Sequence, residues 1–169
     1  MWTIVRHLLS IATLPFVVTV VVPRWIMRRY AIAPRLGDNV GELALQALGV
    51  ALLTLGVGFF VASLRRFAGE GQGTLAPWDP PRNIVVHGPY RYVRNPMISG
   101  VILFLCGEAA LLLSLPLAAW ALTFLAMNAV WIPLVEEPQL ERRFGDSYRE
   151  YCANVPRVIP RLRPWTPAG

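Results

Sequence analysis

The side chains best placed to do chemistry fall in a few short strings. His87-Gly88-Pro89-Tyr90 reads as a turn, because the residue before a proline is driven out of helical backbone. Arg94-Asn95-Pro96 is a polar corner, with Pro96 suited to the first turn of a following helix. Glu136 and Glu137 are adjacent carboxylates directly after an apolar run. A bound group with hydroxyl and amino donors would be able to bridge these places. Capping carboxylates and a purely structural turn account for the same residues. Glu108 and Asn128 lie inside apolar runs, where ionisable groups are functional candidates by default. The alternative there is a protonated or hydrogen-bonded carboxyl with Thr123 at the same depth. Cys106 and Cys152 are too few and too far apart for a disulfide framework, and no metal ligand set is expected.

These strings must be positioned by a membrane. The chain has 169 residues, 55% of them hydrophobic and only 15% charged, against about 25% charged in an average soluble domain. Its mean hydropathy is +0.48. The length fits one domain, 1–169. It excludes a two-lobed transporter or a separate nucleotide-binding domain. All 16 basic side chains are Arg, against 10 acids, a formal charge of +6. With this hydropathy such a charge points to anionic headgroups rather than to nucleic acid. Four stretches approach the ~20 apolar residues a span needs: about 8–22, 43–64, 97–115 and 117–135. The first is short and contains Pro15; no small-x-small cleavage site follows it, so it reads as retained rather than as a signal peptide. The last two are separated only around Pro116 and form a tight helical hairpin. Both motif regions therefore lie at the same membrane face.

With four spans, twelve Arg share the side of the termini and the 65–96 connection, and four, Arg24, Arg28, Arg29 and Arg35, lie opposite. The bias puts both termini and the site in the cytoplasm. The polar regions 65–96 and 136–169 are far longer than connections need. They are expected to pack on each other and build the site. In the tail, Leu140, Phe144, Tyr148 and Tyr151 mark one stripe of an amphipathic helix beginning near Glu136-Glu137-Pro138, with Gly145 a point where it can break. Pro156, Pro160 and Pro164 then impose an extended strap, with Trp165 as an interfacial anchor. The expected fold is thus an all-α integral-membrane bundle of about four spans.

The ordered set His87-Gly88-Pro89-Tyr90, Arg94-Asn95-Pro96, Glu136-Glu137, Leu140, Phe144-Gly145, Tyr148, Tyr151 and Val155-Pro156 resembles the isoprenylcysteine carboxyl methyltransferase and phospholipid methyltransferase superfamily of integral-membrane enzymes. The likeness covers about 83–160, and the first two spans carry none of its motifs. It implies S-adenosylmethionine as cofactor and a lipid or isoprenoid-like acceptor. By this resemblance Asn83, Ile84 and Val85 line the cofactor, and His87 and Gly88 of the adjoining turn also bind it. Tyr90 packs on it or hydrogen-bonds it. Asn95, Pro96 and Met97 hold its polar end, and Glu136 binds a ribose hydroxyl or the amino group. Arg94 and Glu137 are the candidates for catalysis or for organising the turn.

The chain departs from the family's pattern at three places. Asn95 stands where His is common, Ile98 where Tyr is common, and Ile132 where the eukaryotic carboxyl methyltransferases carry an Arg thought to hold the substrate carboxylate. The cofactor half matches more fully than the substrate half, so the resemblance implies methylation of a lipid-soluble group rather than of a prenylcysteine carboxylate. Two other classes compete: a small four-span transporter using Glu108, and a non-catalytic or reductase relative on the same scaffold. The transporter leaves both long polar regions unexplained.

Overall fold

A computed structural model describes residues 15–70 and 84–166. Among these the regular structure is helical, with no strand. A π turn, Val17–Val21, leads into α1, Val22–Arg29. The longest helix is α2, Val40–Glu70. A 3₁₀ turn, Gly88–Arg91, precedes α3, Pro96–Leu111. Then come α4, Leu115–Trp131, a second π turn, Ile132–Glu136, and α5, Glu137–Phe144. The last helix is α6, Asp146–Asn154. The chain divides into two compact units, residues 1–58 with 100–126 and residues 59–99 with 127–169.

Among the described residues two helices are long and apolar enough to cross a bilayer: α2, with 31 residues, and the continuous run Leu115–Phe144, with 30. Only 17% of the most apolar stretch of α2 is buried inside the protein. A core helix of a soluble protein would be mostly buried, so this surface suits a hydrocarbon surround. Helix α3 has 16 residues, about 24 Å at 1.5 Å per residue. The expected first span begins outside the described residues.

In the first unit, α2 and α3 touch backbone to backbone. A Cβ on Gly49 would stand 2.6 Å from Leu111 N, one on Gly107 2.7 Å from Leu53 N, and one on Gly56 2.7 Å from Gly100 O. Small residues facing each other in this way are how apolar helices associate when lipid is as apolar as their side chains. Gln46 ties the end of this pair: its amide donates to Arg35 O at 2.8 Å and Leu111 O at 3.0 Å and accepts from Gly37 N at 3.0 Å. Ile26, Ala109 and Leu117 form the buried cluster beside it.

The hairpin turns at residues 112–114, earlier than the expected position around Pro116. Leu113 takes φ +49°, Ser114 N–H donates back to Ala109 O, and the Ser114 hydroxyl accepts from Leu117 N. That is a left-handed C-terminal stop followed by a serine N-cap. Pro116 sits inside the first turn of α4, where its missing N–H costs nothing.

Both π turns have the same cause. Pro23 and Pro138 each fall two residues past a π turn. Their rings would collide with the carbonyl four residues back and they have no N–H to give. Widening the turn by one residue relieves the collision. It also leaves one carbonyl without its helical donor: Val18 O, which the Trp120 indole caps at 3.1 Å. Residues 136–138 therefore do not begin a new helix, as the sequence suggested; they continue the α4 helix through a π turn.

Candidate functional site

Of the described candidate residues, Glu108 lies on α3 in the first unit, with one carboxylate oxygen buried and without a hydrogen-bond partner, and the others lie in the second unit, residues 59–99 with 127–169. Asn83 falls outside the described residues. The segment 84–86 is non-helical, with Val85 buried. Ile84 and Val86 pack on the cluster of Tyr148, Tyr151 and Val155, where Leu140 and Phe144 also converge. The expected stripe thus forms one core although the helix breaks at Gly145, whose φ of +57° with ψ −129° suits glycine. Trp165 packs on Tyr151 at 5.8 Å between ring centroids, so it also serves this core.

The strap runs back along the turn. Arg94 N–H donates to Pro156 O at 2.9 Å, Arg161 N–H to Tyr92 O at 2.9 Å, and Trp165 N–H to Arg91 O at 3.0 Å. The Tyr151 hydroxyl donates to Tyr90 O at 2.7 Å. These bonds hold the backbone of 90–94 from outside, where Gly88 at φ +57° has started the 3₁₀ turn.

The two glutamates have different surroundings. Glu137 is clamped: Arg157 meets it through two bonds of 2.7 and 2.6 Å, and Arg94 Nη1 lies 3.0 Å from its Oε1. The Arg94 and Glu137 side chains are only 12% and 16% exposed, which makes this an interior pair rather than a surface one. Arg94 also touches the Cys152 sulfur, and its Nε is buried without a partner. Glu136, by contrast, has no hydrogen-bond partner among the described residues, and neither do the Tyr90 hydroxyl and the Asn95 side-chain amide. Tyr90 and Glu136 are within electrostatic reach of each other. Burial, Tyr151 and the Glu136 charge together hold the Tyr90 hydroxyl far above the ordinary tyrosine range. It therefore stays a protonated donor at any physiological pH. Pro96 is fully buried, and Met97 follows half-buried. Pro133 O, one turn before Glu137, lacks its ordinary helical donor because Pro138 supplies no N–H.

His87 is drawn elsewhere. Its Nδ1 lies 2.7 Å from Glu70 Oε2 at the end of α2, and its side chain is 64% exposed. Two contributors were missed from the sequence. Arg157 carried no signal beyond its charge. Tyr151 was legible as a stripe residue but not as the donor that fixes Tyr90. Among the described residues no group of three or more His, Cys, Asp or Glu is placed to hold a metal ion.

A corner clamped by two arginines thus stands beside a carboxylate, a hydroxyl and an amide that have no hydrogen-bond partner among the described residues. The chain matches the phospholipid methyltransferase family over residues 44–147. It belongs to that family of membrane-bound methyltransferases. The matched region takes in α2, which carries none of the motifs, and ends before the strap. No curated protein and no solved structure matches the chain.

Proposed function

We propose that the protein transfers a methyl group from S-adenosylmethionine to a lipid-soluble acceptor. The observation that carries this reading is the family match, which takes in the turn, the corner and both glutamates. The cofactor's sulfonium would supply the methyl group as an electrophile. The residues present fit such a group, because Glu136, Tyr90 and Asn95 offer an acceptor, a donor and an amide that the described protein leaves unused. Glu136 is assigned to hydroxyl or amino donors. An anionic side chain against the departing positive charge would stabilise the ground state instead of the transition state. Ile84, Val85, Gly88, Pro96 and Met97 are assigned to the walls. His87, held by Glu70, has the weakest claim to the cofactor.

Arg94 and Glu137 are proposed as positioning residues. With both carboxylate oxygens engaged by guanidinium groups, Glu137 is poorly placed to take a proton. Its service is to fix the corner beside Glu136, and fixed geometry is where much of the rate of an in-line transfer arises.

Glu136→Gln is expected to weaken S-adenosylhomocysteine binding about tenfold or more, since hydrogen bonds to charged groups are worth about 1.5–3 kcal/mol. Calorimetry on the purified protein checks it, and an unchanged affinity rejects the role. The acceptor class has a separate test. Acceptors with one head and graded chain lengths are assayed in vesicles, and the long-chain members are expected to be the better substrates. A short, water-soluble member methylated equally well would remove the lipid reading while leaving methyl transfer intact.

A further inference from the structure

We propose that residues 158–163 of the strap dock on the bilayer surface, with Ile159 and Leu162 entering the headgroup zone and Arg163 meeting anionic lipid phosphate. Leu162 is 98% exposed, Ile159 79% and Val158 51%. Large apolar side chains bared together on a short stretch mark an interaction surface rather than an ordinary water-facing loop. This stretch is not a loose tail. Its backbone is bonded to the turn through Arg161 N–H and Tyr92 O, and the Trp165 ring that follows it is seated on Tyr151.

Its place along the chain selects lipid as the partner. Tyr92, to which the strap is bonded, stands just before Pro96, the first residue of the apolar helix α3. The start of an apolar helix marks the edge of the hydrocarbon, and the polar zone outside it is only roughly 5–7 Å thick. In the same unit Trp131 and Leu134 expose apolar surface along the helix that leads to Glu136. Charge excludes the simplest alternative. From Val155 to the C-terminus the sequence has Arg157, Arg161 and Arg163 and no acid. Arg163 has no ion-pair partner among the described residues. A second copy of the chain docking through this same patch would set Arg161 and Arg163 against their own kind. Lipid phosphates complement them, and guanidinium groups bind phosphate through a two-pronged donor face.

This inference rests on membrane attachment and is independent of methyl transfer, so the two fail separately. The full chain is reconstituted in vesicles of equal parts phosphatidylcholine and phosphatidylglycerol, with the photoreactive residue p-benzoylphenylalanine in place of Leu162 or, as the water-facing control, of the exposed Ser147 on α6. Both positions are exposed, so neither replacement disturbs packing. Irradiation is expected to give several-fold more phospholipid adduct from position 162 than from 147. The yield at 162 is expected to fall when phosphatidylglycerol is omitted or when Arg163→Glu is added. Equal yields at the two positions overturn the proposal. So does a cross-link from 162 to a second copy of the chain, or a yield indifferent to both the anionic lipid and Arg163.

Discussion

Gly107→Ala is expected to destabilise the protein, although the same change in the interior of an ordinary exposed helix stabilises it by roughly 0.5–1 kcal/mol. The added Cβ would lie 2.7 Å from Leu53 N and 2.8 Å from Gly49 O. Those are backbone atoms of a helix and cannot swing aside as a long side chain does. Helices α2 and α3 must therefore move apart, and they lose the close approach that is their main attraction in lipid. Overpacking of this kind costs about 1–3 kcal/mol, and Gly107→Leu is expected to exceed that range. Gly58→Ala is the matched control, since a Cβ there meets nothing within 4 Å. Thermal unfolding in one detergent compares the two. The midpoint should fall for Gly107→Ala and hold or rise for Gly58→Ala. A rise for both would mean that the helices are not held at these glycines.

The features legible in the sequence were those with local causes. Apolar runs located α2, α3 and α4, and Pro96 marked the start of α3 because a proline without an N–H fits a first turn. The spacing of Leu140, Phe144, Tyr148 and Tyr151 identified a buried stripe, and the prolines beyond Val155 identified an extended strap. Pro138 was misread by the same logic. A proline near a helix start and a proline just past a π turn leave the same trace in sequence, and only the unbroken helix from Leu115 to Phe144 separates them. Pro116 was misread as the hairpin turn because nothing marks Leu113 for left-handed backbone; β-turn glycine would have.

What stayed hidden depends on groups far apart in the chain. Gln46 is an unremarked amide until Leu111 O and Arg35 O are brought to it. Nothing in the sequence pairs Gly49 with Gly107, which stand 58 positions apart and meet only where α2 and α3 touch. At the candidate site, Glu136 and Glu137 are neighbours of identical type, and no spacing rule tells which one is paired. The π turn and the folding back of the strap decide that, by delivering Arg94 and Arg157 to Glu137 alone.

Glu137→Leu is accordingly expected to be the most damaging change in the second unit. It would leave the Arg94 guanidinium, 12% exposed, facing a Cys152 sulfur and no anion. Removing one partner of a buried pair costs about 3–5 kcal/mol, largely because the survivor remains charged in a poor solvent. Arg157 is 36% exposed and regains water, so the loss on its side is smaller. Arg94→Met should cost less than Glu137→Leu, because the carboxylate keeps its two bonds to Arg157. The double variant Arg94→Met/Glu137→Leu should recover much of the stability lost by Glu137→Leu, since replacing both members of an interior pair by apolar groups is often close to neutral. Additivity of the two single changes would deny the coupling between them. Binding separates positioning from mere stability. With the corner no longer fixed beside Glu136, the double variant is expected to unfold near the wild-type temperature yet bind S-adenosylhomocysteine more weakly. If it regains stability and affinity together, the clamp has no part in positioning the site. If Glu137→Leu unfolds at the wild-type midpoint, the Arg94–Glu137–Arg157 cluster contributes nothing to holding the strap on the turn.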